Sequence, residues 1–182
     1  MALRNIRKQG EEILTKRAKE IHEITPRIRE LAADMLETMY DAEGVGLAGP
    51  QVGILKRIVV IDISEERDDP MIMINPIITA SDGSQTGWEG CLSVPGKSGQ
   101  VTRPERVSAT FTDLEGNECE IEAEGFLARA VCHELDHLDG HLYTEKVEGR
   151  LYDNSELQQE SGEDDEAAEE ESGSAPNQKL KK

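Results

Sequence analysis

The chain has 182 residues and a formal net charge of −18, enough for one domain with a sizeable core and too little for two. That charge excludes a sequence-independent phosphate-binding surface, which needs clustered Lys and Arg, so no direct nucleic-acid partner is expected. No apolar stretch approaches the ~20 residues of a membrane span, and three cysteines behind a charged N-terminal stretch with no apolar leader predict a soluble cytoplasmic protein in a reducing compartment.

In chain order, residues 26–42 are predicted as a helix, because Ile28, Leu31, Ala32, Met35, Leu36 and Met39 recur at helical spacing. Thr25 is the expected N-cap, and Pro26 suits the first turn. A glycine-rich loop, GVGLAGPQVG, covers 44–53. The β-branched run Arg57–Ile63 predicts a buried strand, with two further short strands, Met71–Ile74 and Ile77–Ala80, around Asn75-Pro76. Trp88–Pro95 is too short and irregular for a helix. Val107–Thr112 and Glu118–Ala123 alternate in polarity around the turn Leu114–Asn117 and predict a hairpin. Residues 126–139 are predicted as a second helix, stopped by Gly140.

From Asn154 the composition turns acidic and loses its apolar residues, which predicts a disordered tail over 154–182 behind a folded domain over 1–153. Residues 151–182 hold ten acids against three lysines, which leaves −11 for the rest. The fold class expected is α+β, with short antiparallel strands packed around the late helix.

That helix contains His133-Glu134-Leu135-Asp136-His137, an HExxH motif. Residues four apart share a helix face, so both imidazoles can reach one metal ion. Glu134 stands where it can take a proton from an attacking water. Phe126 and Ala130 share the face of the two histidines, and Leu127, Val131, Leu135 and Leu138 share the next one. Only Arg129, Cys132 and Asp136 form a polar strip, so the helix is expected to be buried. A buried Glu134 then calls for a metal, a water or a hydrogen bond. Ala130, one turn before His133, leaves space for a substrate side chain. Asp136 and Arg103 are expected to pair and steady the helix.

A catalytic metal usually has three protein ligands and one open position. The residues alone leave the third ligand open. His141, Glu145 and Glu148 follow the helix, with Gly140 intervening, and Cys91 precedes it in Glu89-Gly90-Cys91-Leu92-Ser93. Gly44–Gly49 also matches the GxGxxG fingerprint of dinucleotide-binding folds, with Asp62 downstream. Here, however, it follows a helix and is closed by Pro50, the reverse of the order that fingerprint needs.

Taken together, Gly44–Gln51 (GVGLAGPQ), Glu89–Ser93 (EGCLS) and His133–Leu138 (HELDHL) resemble the peptide deformylase family, in its order and at similar separations, over roughly residues 3–150. The resemblance implies that Cys91, His133 and His137 hold the metal and that Glu134 is the general base and acid. It implies an oxyanion hole made of Gln51 and the Leu92 N–H. It also implies that the Gly46 backbone binds the substrate main chain, with Val45, Phe126 and Ala130 completing the substrate-binding set. Fe2+ is the implied cofactor, replaceable by Zn2+, Ni2+ or Co2+. The implied partner is the N-formyl-methionyl end of nascent peptides, met close to the ribosome, and the products are formate and a free N-terminus. Three features depart from the family pattern: Gly49 where Ala is usual, Trp88 at a variable position, and the acidic tail. The competing readings are a zinc endopeptidase, which needs a third ligand after the helix, and a binding module with a closed four-ligand site.

Overall fold

The computed structural model describes residues 2–157. Two helices and eight strands follow in the order α1 (Pro26–Asp41), β1 (Gly46–Ala48), β2 (Ile58–Ile61), β3 (Met71–Asp82), β4 (Gln85–Cys91), β5 (Val94–Arg103), β6 (Arg106–Thr112), β7 (Glu118–Glu124), α2 (Gly125–Asp139) and β8 (Val147–Asp153). All strand pairings are antiparallel, in a five-stranded sheet of order β1-β2-β3-β6-β7 and a three-stranded sheet of order β4-β5-β8. This is the α+β class expected, with β1, β4, β5 and β8 beyond the strands that the sequence pattern predicts.

The layering follows from β2. All four of its residues are buried. Ile58 and Val60 pack with Leu31, Met35 and Met39 of α1, while Val59 and Ile61 pack with Val131, Leu135 and Leu138 of α2. A strand covered on both faces reads as a continuous apolar run, which is why the sequence there does not alternate. The helix α2 also meets β5 of the smaller sheet, so it lies at the centre of the molecule. The helix α1 begins as expected, with Thr25 Oγ1 accepting from the Ile28 N–H at 3.4 Å and Pro26 in the first turn. Both helices lie within a residue of their expected bounds.

The two strands expected around Asn75-Pro76 are one strand, β3, with irregular register between Ile74 and Ile77. Asn75 adopts a positive φ of 51°. Its side chain exchanges two 2.8 Å hydrogen bonds with the Ile21 backbone. The bulge lets Pro76, which has no N–H to donate, sit inside the ladder. The hairpin β6–β7 forms as expected, with the Asp113 carboxylate accepting from the Glu115 and Asn117 N–H groups in its turn. Trp88–Pro95 runs from β4 through a turn into β5. Residues 154–157 form a helical turn, in which Asn154 Oδ1 accepts from Ser98 Oγ at 2.7 Å. The rest of the expected tail, 158–182, lies outside the described residues. Among those described, no helix is long and apolar enough to cross a membrane.

Candidate active site

The helix α2 places His133 and His137 on successive turns, with ring centroids 5.0 Å apart. Cys91, at the end of β4, faces them across the seam between helix and sheet. Its Sγ lies 3.2 Å from His137 Nε2, and one donor atom from each of the three residues falls within 4.8 Å of the other two. A cation with ligands at ~2.0–2.3 Å fits such a triangle. His141, the alternative ligand, instead points its Nδ1 at Glu145 Oε2, 2.9 Å away.

The orientation of the rings supports the same fit. Glu89 Oε2 accepts from His133 Nδ1 at 3.0 Å, which leaves Nε2 to the site. The His133 ring also stacks on Tyr143 at 5.9 Å. Burial works against charge on His133, but hydrogen bonds with Cys91 and Glu89 outweigh it and hold the ring up at about 10. A cation held by His133 would take the place of that proton. Burial, and then the charge of His133, pushes His137 well below its usual value, toward the neutral form a metal requires.

Glu134 is buried, and its Oε2 has no hydrogen-bond partner among the described residues. Burial is the main reason its carboxyl is raised to about 7, the range in which a group can both accept and return a proton at neutral pH. Gly46 lies directly over it, and a Cβ there would collide with Glu134 Oε1. Gln51 is 1% exposed and fixed at both ends of its amide. Oε1 accepts from the Ala48 N–H at 2.8 Å, and Nε2 donates to Ser93 Oγ at 3.2 Å and toward Cys91 Sγ at 3.5 Å. Leu92 lies in the turn after Cys91, and its carbonyl accepts from Lys8 Nζ at 2.7 Å.

A cleft of about 660 Å³ joins these groups. Cys91, Gln51, Leu92, Gly46, His133, Glu134 and Ala130 line it, and the exposed Val45, Trp88 and Phe126 stand at its mouth. His137 lies beneath, fully buried. Every site residue expected from sequence is therefore brought to one place. Because β1 is an edge strand, Gly46 has one side unpaired within the sheet. The Asp136–Arg103 pair forms at 2.5 Å.

The sequence reading missed the charges behind the histidines. Glu89 is 5% exposed and is held by Arg103 and Arg129. Burial raises its carboxyl, but the Arg103 hydrogen bonds and then that of His133 prevail and hold it at about 2. Arg129 and Cys132, expected on a polar strip, are both buried. The available signal was that Glu89 stands only two residues before the candidate ligand Cys91.

An HExxH helix facing a cysteine sulfur across such a cleft defines a class, that of hydrolases able to hold a cation on a Cys/His/His donor set. The family model described as polypeptide deformylase matches residues 3–151. A peptide deformylase of Agathobacter rectalis is 65% identical over 84% of this chain and 95% of its own length. One of Lachnoclostridium phytofermentans is 57% identical over 90% of this chain and all of its own. Among solved structures, the peptide deformylase of Legionella pneumophila superposes with a TM-score of 0.79 at 41% identity, covering 81% of this chain and 87% of that one. The chain belongs to the polypeptide deformylase family. It removes the formyl group from the N-terminus of newly made polypeptides.

Proposed function

We propose that Cys91, His133 and His137 hold one divalent cation and that Glu134, Gln51 and the Leu92 N–H carry the hydrolysis of N-formyl-methionyl peptides. The observation that carries this reading is the meeting of one thiol and two imidazoles beside a buried carboxyl group, one oxygen of which has no hydrogen-bond partner among the described residues. A thiolate gives the cation more charge than a third imidazole would, which suits Fe2+, with Zn2+, Ni2+ or Co2+ able to replace it. When bound, the cation lowers the pKa of water and polarises the formyl carbonyl.

The chain's own groups do the rest. The main chain of the substrate pairs with the free edge of β1 at Gly46, as an added strand does. Its first side chain enters beside Ala130, between Val45 and Phe126. Glu134 takes a proton from the attacking water and passes it to the leaving amine, so formate and a free N-terminus result. Negative charge growing on the formyl oxygen meets Gln51 Nε2 and the Leu92 N–H. One such donor is typically worth ~3 kcal/mol in the transition state. The gap bounded by Gly46, Gln51 and Leu92 selects formyl over acetyl.

Since the substrate is the start of a chain still being made, the enzyme works in the cytoplasm, close to the ribosome. The acidic composition after residue 153 supports a catalytic domain over 1–153 followed by a separate tail. The deciding experiment is formate release from a formyl-methionyl peptide by anaerobically purified, Fe2+-loaded protein. Rapid release is expected, with little from the acetyl analogue. Cleavage of internal peptide bonds in place of formate release would turn the reading toward the endopeptidase.

A further inference from the structure

The three proposed ligands are divided between two elements that share no backbone ladder: β4 brings Cys91, and α2 brings His133 and His137. Something must fix the distance between them. Arg129 lies on α2 one turn before His133, and among the described residues all its side-chain hydrogen bonds run to the strands opposite. Its Nη1 donates to Glu89 Oε1 at 2.7 Å, to the Val101 carbonyl at 2.9 Å and to the Gly87 carbonyl at 3.4 Å, and its Nη2 donates to the Gln85 carbonyl at 3.2 Å. Three of these four partners belong to β4 itself, and Glu89 stands two residues before Cys91. The same carboxylate touches His133 through its other oxygen.

Arg103 also grips Glu89, at 2.9 Å through both Nε and Nη2, but it is shared. Its Nη1 bonds Asp136, which in turn takes Lys146 Nζ at 2.7 Å. Among the described residues, Arg129 has no carboxylate partner but Glu89. Charges therefore alternate from Arg129 through Glu89, Arg103 and Asp136 to Lys146. Arg129 neutralises the end of this row that lies at the metal ligands. Space for it is made by Gly87, where a Cβ would stand 3.2 Å from Arg129 Nη2 and 3.4 Å from Cζ.

The geometry points to Arg129, seated over Gly87, as a positioning residue that clamps the strand bearing Cys91 to the helix bearing both histidines and so sets the spacing of the metal ligands. The inference rests on Cys91, His133 and His137 being those ligands. Outer partners of metal ligands typically control metal affinity by ~10–100-fold.

The test titrates Co2+ into the metal-free full chain and into Arg129→Met and Arg129→Lys, following affinity and the thiolate-to-Co2+ absorption band, with thermal unfolding and formate release alongside. The unchanged protein should bind one Co2+ with a thiolate band; without that band, the ligand assignment itself falls, whatever the variants do. Arg129→Met should bind Co2+ ~10–100-fold more weakly, with a displaced or weakened band and a fall in kcat larger than any change in KM. Arg129→Lys restores a cation to Glu89 but cannot span the carbonyls of β4 and β5 together, so it should recover only part of the affinity and the band. If Arg129→Met melts earlier but keeps the affinity and the band, the clamp is overturned and Arg129 only stabilises the fold. If Arg129→Met does not fold, Arg129→Lys decides, and a band and affinity equal to those of the unchanged protein overturn the proposal.

Discussion

At the scale of single residues, the proposed site divides groups that would hold a cation from groups that would move protons, and substitution should separate them. Glu134→Gln keeps the size of the side chain but removes the proton acceptor. It should retain about one metal per chain while turnover falls ~10²–10⁴-fold, measured as metal content and formate release on one preparation. Cys91→Ala should instead lose metal on dialysis and lose activity for that reason; tight metal with full turnover would place the third ligand elsewhere. Gly46→Ala is a sharper probe, since its methyl would push directly on the Glu134 carboxylate. Displacing a catalytic group by about 1 Å can cost ~100-fold, so kcat should drop while circular dichroism and metal content stay unchanged. The histidines and Glu134 were legible because their residue types and spacing carry chemistry by themselves, whereas Cys91 was one of several candidates until the family resemblance singled it out. Glu89 and Arg129 were not legible. A charged residue in sequence looks solvated, and only the fold shows that these two neutralise each other in the interior.

At the scale of elements, α1 is latched to the end of β2 by one buried carboxylate. Asp62 Oδ2 accepts from Tyr40 Oη at 2.6 Å, and Oδ1 accepts from the Ser64 N–H and Oγ. Burial raises the Asp62 carboxyl, but the hydrogen bonds from Ser64 and Tyr40 prevail and leave it below the usual 3.8. A depressed carboxylate adds stability above its unfolded pKa and loses it as the pH falls through the folded one. Asp62→Asn should therefore cost about 1–3 kcal/mol at pH 7, and the difference in denaturation midpoint should shrink below pH 3.8. An equal gap at pH 7 and at pH 3 would show that the charge is not what latches the helix. On α2, Ala130→Leu should raise KM for formyl-methionyl peptides by filling the floor of the cleft; an unchanged KM would place the methionine pocket elsewhere. Both helices and β2 were readable because amphipathic spacing and continuous apolar runs are local signals. The smaller sheet was not. Gly87, Gly90, Gly96 and Gly99 dilute its strand propensity, and β8 pairs with a strand some fifty residues earlier, for which no local pattern exists.

At the scale of the whole molecule, the described fold closes at residue 157, and the acidic stretch beyond it lacks the apolar residues that packing requires. Ending the chain after Leu157 keeps the Ser98–Asn154 bond and should leave both the melting temperature and formate release unchanged. A tenfold loss of turnover would show that the acidic stretch takes part. The central place of α2 also has a consequence in time. The core cluster between β2 and α1 is supplied wholly by residues made before position 125, whereas the cluster on the other face of β2 is completed by α2, which is synthesised after it. Chains grow at roughly 5–20 residues per second, N-terminus first. Cys91 is therefore translated roughly 2–9 s before His137, and for that interval its thiol has neither partner imidazole. Translation itself imposes a delay during which the sulfur is open to oxidants and stray metals. With the proposed ligand set, the enzyme would take up its cation only once almost the whole domain has been made.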